Sequence, residues 1–463
     1  MATPGHSVVV GLGKTGASCL RYLARHGIPA SATDTRRAPP GLAELGALAG
    51  AVTLRLGGFD LSLLDGASQV LMSPGVSLDE PIAQAARARG IEVLGDVELF
   101  ARAVQAPVIG ITGTNGKSTV TSLVAHMAEA AGRRVLAGGN LGVPALDLLE
   151  RNVPELYVLE LSSFQLETTW SLRPAAAVVL NVSADHLDRY ATVAAYARAK
   201  ARIFDKAATV VLNADDPRVA AMRGAVDARG AAGGEGAARL VTFSIESPAA
   251  DYSLLRSGAK AQLARRGVPL LGIERLKITG LHNAANALAA LALGDAVGLP
   301  MAAMLQALES FPGLPHRSAW VADVAGVRYI DDSKGTNVGA TLAAVAGLAG
   351  PLVMIAGGEG KGQDFAPLAA GFRGKVRHTV LIGKDAPALA AALAGVCSTE
   401  IVASMQEAVL AASRAAQPGD TVLLSPACAS LDMFRDYAER GDVFAAAARR
   451  LEAGAAMSGG TPS

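Results

Sequence analysis

A glycine-rich segment in the second quarter of the chain has residue types that bind phosphate. Residues 110–119 read GITGTNGKST, follow the apolar run Pro107–Ile109 and precede a helical pattern of apolar residues. A strand, a glycine-rich turn and a helix opened by Lys and Ser are the parts of a phosphate-binding loop. Backbone N–H groups would bind phosphate oxygens. Lys117 would add charge at the outer phosphates, and Ser118 could ligate Mg²⁺. These residues predict a nucleoside triphosphate site.

The segment departs from the strict spacing of such loops, which requires glycine where Ile111 stands. The alternative interpretation is a glycine-rich turn with a surface lysine. The density of the required residue types in TGTNGKST favours phosphate binding.

A second glycine pattern lies near the beginning of the chain. Gly11, Gly13 and Gly16 form GxGxxG directly after the strand-like run SVVV, and Asp34 ends the next strand-like run. Glycines so placed let the backbone approach a diphosphate at a helix N-terminus. Three interpretations stay open on these residues alone: a tight turn that binds nothing, a nicotinamide cofactor, or another nucleotide.

Both loops lie in a chain of 463 residues that alternates short apolar runs with alanine-rich helical stretches. This alternation predicts an α/β fold of βαβ units with buried parallel strands. Glycine and proline residues near Gly95–Pro107 and Phe311–Pro315 predict two domain boundaries. They divide the chain into three predicted domains, 1–96, 97–312 and 313–463. The predicted strands are Ser7–Val10, Val52–Leu56, Gln69–Met72, Val108–Thr112, Tyr157–Leu161, Ala177–Asn181, Val210–Asn213, Leu352–Ala356, Thr379–Ile382 and Thr421–Leu424.

Three other stretches carry predictions of their own. The apolar run Leu342–Gly358 contains Pro351 and predicts a helix, a turn and a buried strand rather than a membrane span. The Ala/Gly-rich stretch Arg223–Arg239 predicts a surface loop. The segment Met433–Leu451 predicts a terminal helix, followed by a disordered end.

Composition narrows the class of protein. The chain is 51% hydrophobic with a net charge of +1 and no long run of one sign, which argues against a generic nucleic-acid or membrane-surface binder. Its three cysteines form no CxxC pair, so a reduced, cytoplasmic compartment is expected. The N-terminus lacks the pattern of an export signal. We expect a monomer without nucleic-acid partners.

The string GITGTNGKST resembles the signature of the Mur ligase family, whose members use ATP to join a carboxylate to an amino group. The resemblance extends over nearly the whole chain. It implies a Rossmann-like N-terminal domain, a central P-loop ATPase-like domain with a parallel sheet, and a Rossmann-like C-terminal domain. The residues that it implies for ATP binding are Gly113, Thr114, Asn115, Gly116, Lys117, Ser118, Thr119, Asn283, Asn286, Arg317 and Asp332.

The resemblance also implies a magnesium site and catalytic residues. Glu160 in YVLELSSFQLE would ligate Mg²⁺, His186 in NVSADHLDRY would contact a second Mg²⁺, and Lys200 in YARAKARIF would do so as a carbamate. Read without the family, these residues are a strand-end acid, a loop histidine and a solvated helix lysine. Together with Lys117 they are the predicted catalytic residues, and with Ser118 the predicted metal ligands.

The first domain would then bind the UDP part of a sugar nucleotide rather than NAD. The implied contacts are Lys14, Thr15, Gly16, Asp34, Thr35, Arg36, Ser73, Gly75, Asn140, Ser162 and Gln165.

The third domain discriminates among members of the family. Its string DDSKGTN, with LSPACASLDMF and the early SPG at Ser73–Gly75, resembles the members that add D-glutamate to UDP-N-acetylmuramoyl-L-alanine. Two lysines suit a dicarboxylate, because charge-assisted hydrogen bonds to carboxylates are strong. The alternatives are a sibling ligase for another amino acid or an NAD-dependent oxidoreductase. The implied D-glutamate contacts are Lys334, Thr336, Lys361, Ser430, Leu431 and Tyr437.

Overall fold

The computed structural model describes residues 5–140, 142–224, 238–258, 260–278, 280–348 and 350–458. Within these residues the strands form three sheets of five, nine and six strands. Most of the predicted loop Arg223–Arg239, the last five residues of the chain and residues 1–4 lie outside the described residues. No helix in the described part of the chain has both the length and the apolar character needed to span a bilayer.

The first sheet is wholly parallel, in the order β3-β2-β1-β4-β5. The glycine pattern lies where β1 meets α1, so α1 begins at the edge formed by the strands' carboxyl ends. The elements are β1 His6–Val10, α1 Lys14–Arg25, β2 Ala30–Asp34, α2 Leu42–Leu45, β3 Thr53–Leu56, β4 Ala67–Met72, α3 Pro81–Ala88, β5 Glu92–Leu94 and α4 Asp96–Ala103, with 3₁₀ turns at Gly46–Gly50 and Leu61–Leu64.

The second sheet has the order β14-β13-β12-β11-β10-β9-β6-β8-β7, parallel from β7 to β12 and antiparallel beyond. The elements are β6 Val108–Thr112, α5 Lys117–Ala130, β7 Val135–Gly139, α6 Ala145–Leu148, β8 Leu156–Glu160, α7 Ser163–Glu167, β9 Ala176–Val179, α8 Val193–Ala201, β10 Thr209–Asn213, α9 Pro217–Ala220, β11 Arg239–Ser244, β12 Tyr252–Ser257, β13 Lys260–Arg265, β14 Val268–Gly272, α10 Leu281–Ala296 and α11 Met301–Ser310, with 3₁₀ turns at Arg202–Phe204 and Ile273–Arg275.

The third sheet has the order β15-β16-β20-β17-β18-β19, with β15 antiparallel to β16 and the other pairs parallel. The elements are β15 Ala319–Val324, β16 Val327–Asp331, α12 Val338–Gly347, β17 Leu352–Gly357, α13 Ala366–Phe372, β18 Val376–Ile382, α14 Ala386–Ala392, β19 Ser398–Ile401, α15 Met405–Ala415, β20 Thr421–Leu424 and α16 Tyr437–Ser458.

The predicted strands all overlap observed ones, and Leu342–Gly358 contains the end of α12 and then β17, as predicted. The predicted terminal helix begins too early: α16 starts at Tyr437. The reason is the Asp436 side chain, whose Oδ1 accepts the N–H of Glu439 at 2.9 Å and so caps the helix. The proposed domain boundaries fall at the first residue of α4 and in the loop between α11 and β15.

Helix packing fixes the first sheet against the second. Leu20 and Leu23 of α1 belong to the same buried cluster as Leu146 and Leu148 of α6. Arg21 Nη2 and Ser18 Oγ donate to the Asp147 carboxylate at 2.7 and 2.8 Å. This packing places the carboxyl ends of the parallel strands in the two sheets beside each other.

Candidate active site

The loop between β6 and α5 holds the glycine-rich segment in a tight turn. Gly113 and Gly116 have positive φ angles of 154° and 84°, which residues with a Cβ rarely adopt. A Cβ on Gly116 would also lie 2.5 Å from Asn286 Oδ1. Ile111 lies inside β6 and is fully buried. The residue that departs from the strict spacing is therefore part of the strand core and not of the turn.

Two amides of this loop are bound within the protein. The N–H groups of Thr114 and Asn115 donate to Asn181 O at 2.9 Å and to Asn181 Oδ1 at 2.8 Å. Asn181 Nδ2 donates back to Asn115 O at 3.1 Å. The first amides of any helix lack partners in that helix and attract anions. The backbone amides that we expect to bind phosphate are therefore those in the first turn of α5.

Lys117 begins α5 and its side chain turns back over the loop. Its Nζ donates to Gly113 O at 2.9 Å and to Thr114 O at 2.8 Å. Burial lowers the pKa of Lys117, and the Glu160 carboxylate opposes that shift. This ammonium lies where a phosphate could replace the two carbonyl oxygens.

The hydroxyl of Ser118 contacts the loop that leads into β15, the first strand of the third sheet in the chain. Arg317 Nη2 donates to Ser118 Oγ at 2.7 Å. Burial lowers the pKa of Arg317, against the raising effects of Glu160 and Asp332. The predicted nucleotide-contacting arginine and the predicted metal ligand are thus in direct contact, although they are far apart in sequence.

Glu160 ends β8 and lies among these cations. Its Oε1 accepts a hydrogen bond of 2.7 Å from Asn140 Nδ2. Its Oε2 is buried and has no hydrogen-bond partner among the described residues. A buried oxygen of this kind is costly to leave unpaired. A cation bound beside Glu160 would satisfy it.

Lys200 lies on α8 and is only 1% exposed, so the solvated-lysine interpretation is wrong. Its Nζ donates to Gly113 O at 2.8 Å and lies 4.3 Å from the centroid of the Tyr196 ring. Burial, and next the charge of Lys117, lower the pKa of Lys200 well below its usual range. Burial therefore shifts the protonation equilibrium of this group toward the neutral amine.

His186 lies in the loop after β9 with a positive φ of 54°. Its ring packs edge-on to Phe164, with centroids 5.0 Å apart, and its Nε2 lies 3.9 Å from Asp185 Oδ2. Burial lowers the pKa of His186, which favours the neutral imidazole, and Asp185 opposes that shift. Among the described residues no group of three or more His, Cys, Asp or Glu side chains is placed to hold a metal ion.

A cavity of ≈ 300 Å³ lies beside α5, between the second and third sheets. At its edge Asp332 Oδ1 accepts from the Ser318 N–H at 3.0 Å and Oδ2 accepts from Ser425 Oγ at 2.8 Å. Burial raises the pKa of Asp332 to about 7. Asn286 Nδ2 donates to Asn283 Oδ1 at 3.1 Å. Predicted nucleotide-binding residues in the cavity wall are Asn115, Gly116, Thr119, Asn283, Asn286, Arg317 and Asp332.

A second cavity, of ≈ 450 Å³, lies between the first glycine loop and the end of β7. Lys14 Nζ donates across it to Gly142 O at 2.5 Å. Gly16 does not line this cavity. A Cβ at Gly16 would lie 2.0 Å from Gly11 O, so glycine is needed here for α1 to approach the loop that contains Gly11. Predicted UDP contacts in the wall are Lys14, Thr15, Asp34, Thr35, Arg36, Ser73, Gly75, Asn140 and Gln165.

Both carboxylate oxygens of Asp34 accept hydrogen bonds from nearby residues of the protein. Its Oδ2 accepts from the Leu12 N–H at 2.6 Å and from Arg36 Nη2 at 2.7 Å. Its Oδ1 accepts from the Arg36 N–H and Nε, both at 2.8 Å. Burial raises the pKa of this carboxyl, but these bonds outweigh it and the pKa is lowered overall. An aspartate so occupied disfavours the nicotinamide interpretation, in which it would bind ribose hydroxyls.

Ser162 forms a capping box at the N-terminus of α7. Its Oγ accepts from the Gln165 N–H at 3.2 Å, and Gln165 Oε1 accepts from the Ser162 N–H at 3.1 Å. Gln165 Nε2 donates to the buried Asp96 at 3.3 Å. These contacts orient Gln165 in the cavity wall.

The predicted D-glutamate residues come from three loops of the third sheet. Lys334 Nζ lies 3.8 Å from the centroid of the Tyr437 ring. Lys361 has a positive φ of 51°. Burial lowers the pKa of both His186 and Lys334, and the charge of Lys361 adds a smaller lowering to each. Thr336 lies in the same turn as Lys334, and its N–H donates to Lys334 O at 2.8 Å. Ser430 is buried, whereas the neighbouring Leu431 is 66% exposed.

Sequence reasoning missed the buried Arg440, which holds these loops together. Its Nη2 donates to Ser333 O at 2.8 Å, Nη1 donates to Cys428 O at 3.1 Å, and Nε donates to Ser333 Oγ at 3.0 Å. Burial lowers the pKa of Arg440 to about 10. An arginine in a terminal helix gives no local signal of such contacts. Asn181 and Asn337 were also missed, although each lies within a motif singled out for its neighbours.

Comparison with known proteins covers the described domains in turn. Residues 5–95 match the family model "Mur ligase MurD-like, N-terminal domain". Residues 111–294 match "Mur ligase middle domain", and residues 316–428 match "Mur ligase, glutamate ligase domain".

Curated relatives match over nearly the full chain. The UDP-N-acetylmuramoylalanine–D-glutamate ligase of Nitrosococcus oceani is 54% identical over 448 residues, 96% of each chain. The protein of that name from Methylobacillus flagellatus is 52% identical, covering 96% of this chain and 97% of the relative. The solved UDP-N-acetylmuramate–alanine ligase of Thermotoga maritima is 20% identical with a TM-score of 0.60, covering 96% and 99% of the two chains, and shares the fold.

Proposed function

Because this chain belongs to the Mur ligase family, we propose that it is an ATP-dependent ligase that joins D-glutamate to UDP-N-acetylmuramoyl-L-alanine. Relatives 50–54% identical over 96% of the chain carry the name of that activity. The proposal places the protein in peptidoglycan precursor synthesis.

The observation that carries the proposal is a cluster of buried cations between the two cavities. Lys117 and Arg317 donate their hydrogen bonds to uncharged oxygens of Gly113, Thr114 and Ser118. Burial lowers the pKa of both cations, and the carboxylates of Glu160, Asp185 and Asp332 only oppose that shift. Buried cations without a directly bonded anion are costly, so anions are expected to bind there. A triphosphate and a substrate carboxylate would supply the missing negative charge.

Two cavities support a proposed place for each substrate. ATP would occupy the ≈ 300 Å³ cavity, with its adenine near Asn283 and Asn286 and its phosphates at the first turn of α5. The UDP-sugar would occupy the ≈ 450 Å³ cavity at the first glycine loop. Asn140 lines this second cavity and donates to Glu160. We propose that the acyl end of the sugar nucleotide extends from this cavity to the cation cluster.

The reaction needs an activated acyl group, because a carboxylate is a poor acyl donor. A carboxylate oxygen attacks the γ-phosphorus of ATP, the bond from that phosphorus to the β–γ bridging oxygen breaks, and ADP leaves. The neutral amine of D-glutamate then attacks the acyl carbon. The new C–N bond forms, the bond to the phosphate oxygen breaks, and the nitrogen releases one proton to water. Lys117 and Arg317 stabilise the charge that the transferred phosphoryl group carries.

We propose that magnesium binds at this site once Lys200 is modified. The unpaired Glu160 Oε2 suits a hard cation, but an ammonium at Lys200 would repel one. The neutral amine that burial favours is the form that reacts with CO₂: the C–N bond forms, a proton leaves and a carbamate results. We propose that carbamylated Lys200, Glu160, Ser118 and His186 hold Mg²⁺, which would screen repulsion between the carboxylate and the triphosphate.

The third sheet supplies the amino-acid site. We propose that Lys334 and Lys361 bind the two carboxylates of D-glutamate, with Thr336, Ser430 and backbone donors beside them. The exposed Leu431 would cover the ligand from the solvent side. Tyr437 would fix the position of Lys334 through their 3.8 Å contact.

Phosphate release tests the proposal directly. The purified chain is given ATP, Mg²⁺ and UDP-N-acetylmuramoyl-L-alanine, with D-glutamate compared against L-glutamate, diaminopimelate and lysine. We expect phosphate release and a mass gain of one glutamate residue only with D-glutamate. Release with another amino acid would assign the chain to a sibling ligase. Oxidation or reduction of a nicotinamide would favour the dehydrogenase interpretation.

A further inference from the structure

The third sheet contacts the phosphate-binding loop through a pair of asparagine side chains. Asn337 Nδ2 donates to Asn115 Oδ1 at 3.1 Å, and Asn115 Nδ2 donates to Asn337 Oδ1 at 3.3 Å. The two residues are 222 positions apart. Each amide uses both its donor and its acceptor on the other, so the contact depends on the orientation of both loops.

Asn181 holds the backbone of Asn115, and the Asn115 side chain is left to contact Asn337. Asn181 accepts the Asn115 N–H and donates to the Asn115 carbonyl oxygen, at 2.8 and 3.1 Å. The orientation of the Asn115 amide therefore follows the conformation of the loop that precedes Lys117. A shift of that loop would break the asparagine pair.

Asn337 is fixed as firmly on its own side. It is 3% exposed and caps α12, because its Oδ1 accepts the Ala340 N–H at 2.8 Å. Its Nδ2 also lies 3.3 Å from Asp185 Oδ2 as a donor. One side chain thus joins the first turn of α12 to two loops of the second sheet.

A glycine two residues later allows the close approach of these elements. A Cβ on Gly339 would lie 3.0 Å from Ser183 Oγ and 3.3 Å from Ser183 Cβ. Glycine inside a helix is less stable than alanine. Its presence in α12 is explained by the loop that contains Ser183, which packs against the helix at this point.

We infer that Asn337 is a positioning residue that couples the phosphate-binding loop to the D-glutamate pocket. It directly follows Thr336 and lies three residues after Lys334, both proposed to bind D-glutamate. Phosphates bound at α5 would fix the loop that carries Asn115, and the asparagine pair would then hold the 334–337 turn in place for the amino acid. This inference rests on the proposed ligase activity.

A double-mutant cycle tests the coupling. Asn337→Ser keeps a hydroxyl that can cap α12 but removes the donor to Asn115, and Asn115→Ala removes the other half of the pair. We expect each single variant to lower kcat/KM for D-glutamate about tenfold, in the range seen for contacting polar groups. The double variant should be no worse than the more damaged single variant. Affinity for an ATP analogue without D-glutamate should change less in Asn337→Ser than kcat/KM for D-glutamate does.

A second variant separates coupling from helix stability. Ser404 caps α15, another helix of the third domain, since its Oγ accepts the Glu407 N–H at 3.2 Å. Ser404→Ala should lower the melting temperature without changing kcat/KM for D-glutamate. Additive losses in the cycle, or an unchanged kcat/KM in Asn337→Ser, would overturn the inference. A wild-type protein without turnover that depends on D-glutamate would instead overturn the proposed function.

Discussion

The ammonium of Lys334 lies 3.8 Å from the centre of the Tyr437 ring, at the point where the DDSKGTN turn meets the first residue of α16. An ammonium over an aromatic face is held by the ring quadrupole and not by the phenolic hydroxyl. The contact therefore positions the proposed D-glutamate lysine without neutralising it. An opposite charge in the same place would compete with the substrate carboxylate.

Replacing Tyr437 separates the ring from the hydroxyl. We expect Tyr437→Phe to keep KM for D-glutamate close to the wild-type value, because the ring still faces Lys334. Tyr437→Ala should raise that KM by roughly 2- to 30-fold, which corresponds to the 0.5–2 kcal/mol of a cation–π contact. Steady-state kinetics at saturating ATP measure both. Equal damage in the two variants would show that the hydroxyl, not the ring, carries the effect.

Lys334 also predicts a pH dependence of binding. Burial, then the charges of Arg317 and Lys117, lower the pKa of Lys334 to about 8. As pH rises through 8 the free protein loses this charge, so a dicarboxylate should bind more weakly. Glutarate is the probe, because it lacks the amine that would titrate in D-glutamate itself.

Inhibition by glutarate should therefore weaken above pH 8 in the wild-type protein. In Lys334→Arg the side chain stays charged, so any remaining inhibition should be flat across the same pH range. A wild-type inhibition constant that does not change between pH 7 and pH 9.5 would contradict the lowered pKa of Lys334.

We expect the Asp332 carboxylate to lower the stability of the protein while it contributes to nucleotide binding. Burial raises its pKa to about 7, above the usual 3.8. Between these values the native state binds more protons than the unfolded state, so this group makes stability fall as pH rises. The cost of the buried charge is complete above pH 7.

Asp332→Asn removes that charge while its amide can still accept from Ser318 and donate to Ser425. We expect the variant to melt at a higher temperature than wild type at pH 8, with a smaller difference at pH 5. Its KM for ATP should rise, because the proposed ribose contact loses its carboxylate. Thermal melts at both pH values are the measurement, and a variant that melts lower at pH 8 would refute the argument.

Short motifs carried most of what the sequence could predict. GITGTNGKST specifies a strand, a turn and a helix within ten residues, and these elements are observed as β6, the 113–116 loop and α5. The strand prediction held where strands are buried apolar runs. It missed β5, β7, β11–β16 and β19, each of which contains residues that are not buried, as in the KAQLAR segment of β13.

Contacts between distant segments could not be predicted in this way. The unpaired oxygen of Glu160, the occupied carboxylate of Asp34 and the Asn115–Asn337 pair all depend on how the sheets pack. Lys200 illustrates the limit: a lysine on a predicted helix was interpreted as solvated, whereas α8 places it in contact with the loop at Gly113. Resemblance to a family located this residue, and burial supplies the physical reason for its altered pKa.

Lys117 gives the most direct test of the phosphate-binding loop. Because burial lowers its pKa, the charged lysine opposes folding, and Lys117→Ala should melt at or above the wild-type temperature. Turnover should be abolished, since no other side chain of α5 can supply an ammonium to the outer phosphates. Lys206→Ala, which removes an exposed lysine, is the matched control and should keep wild-type activity. Phosphate release and thermal melts on the same preparations decide the outcome: full activity in Lys117→Ala would move the triphosphate away from this loop.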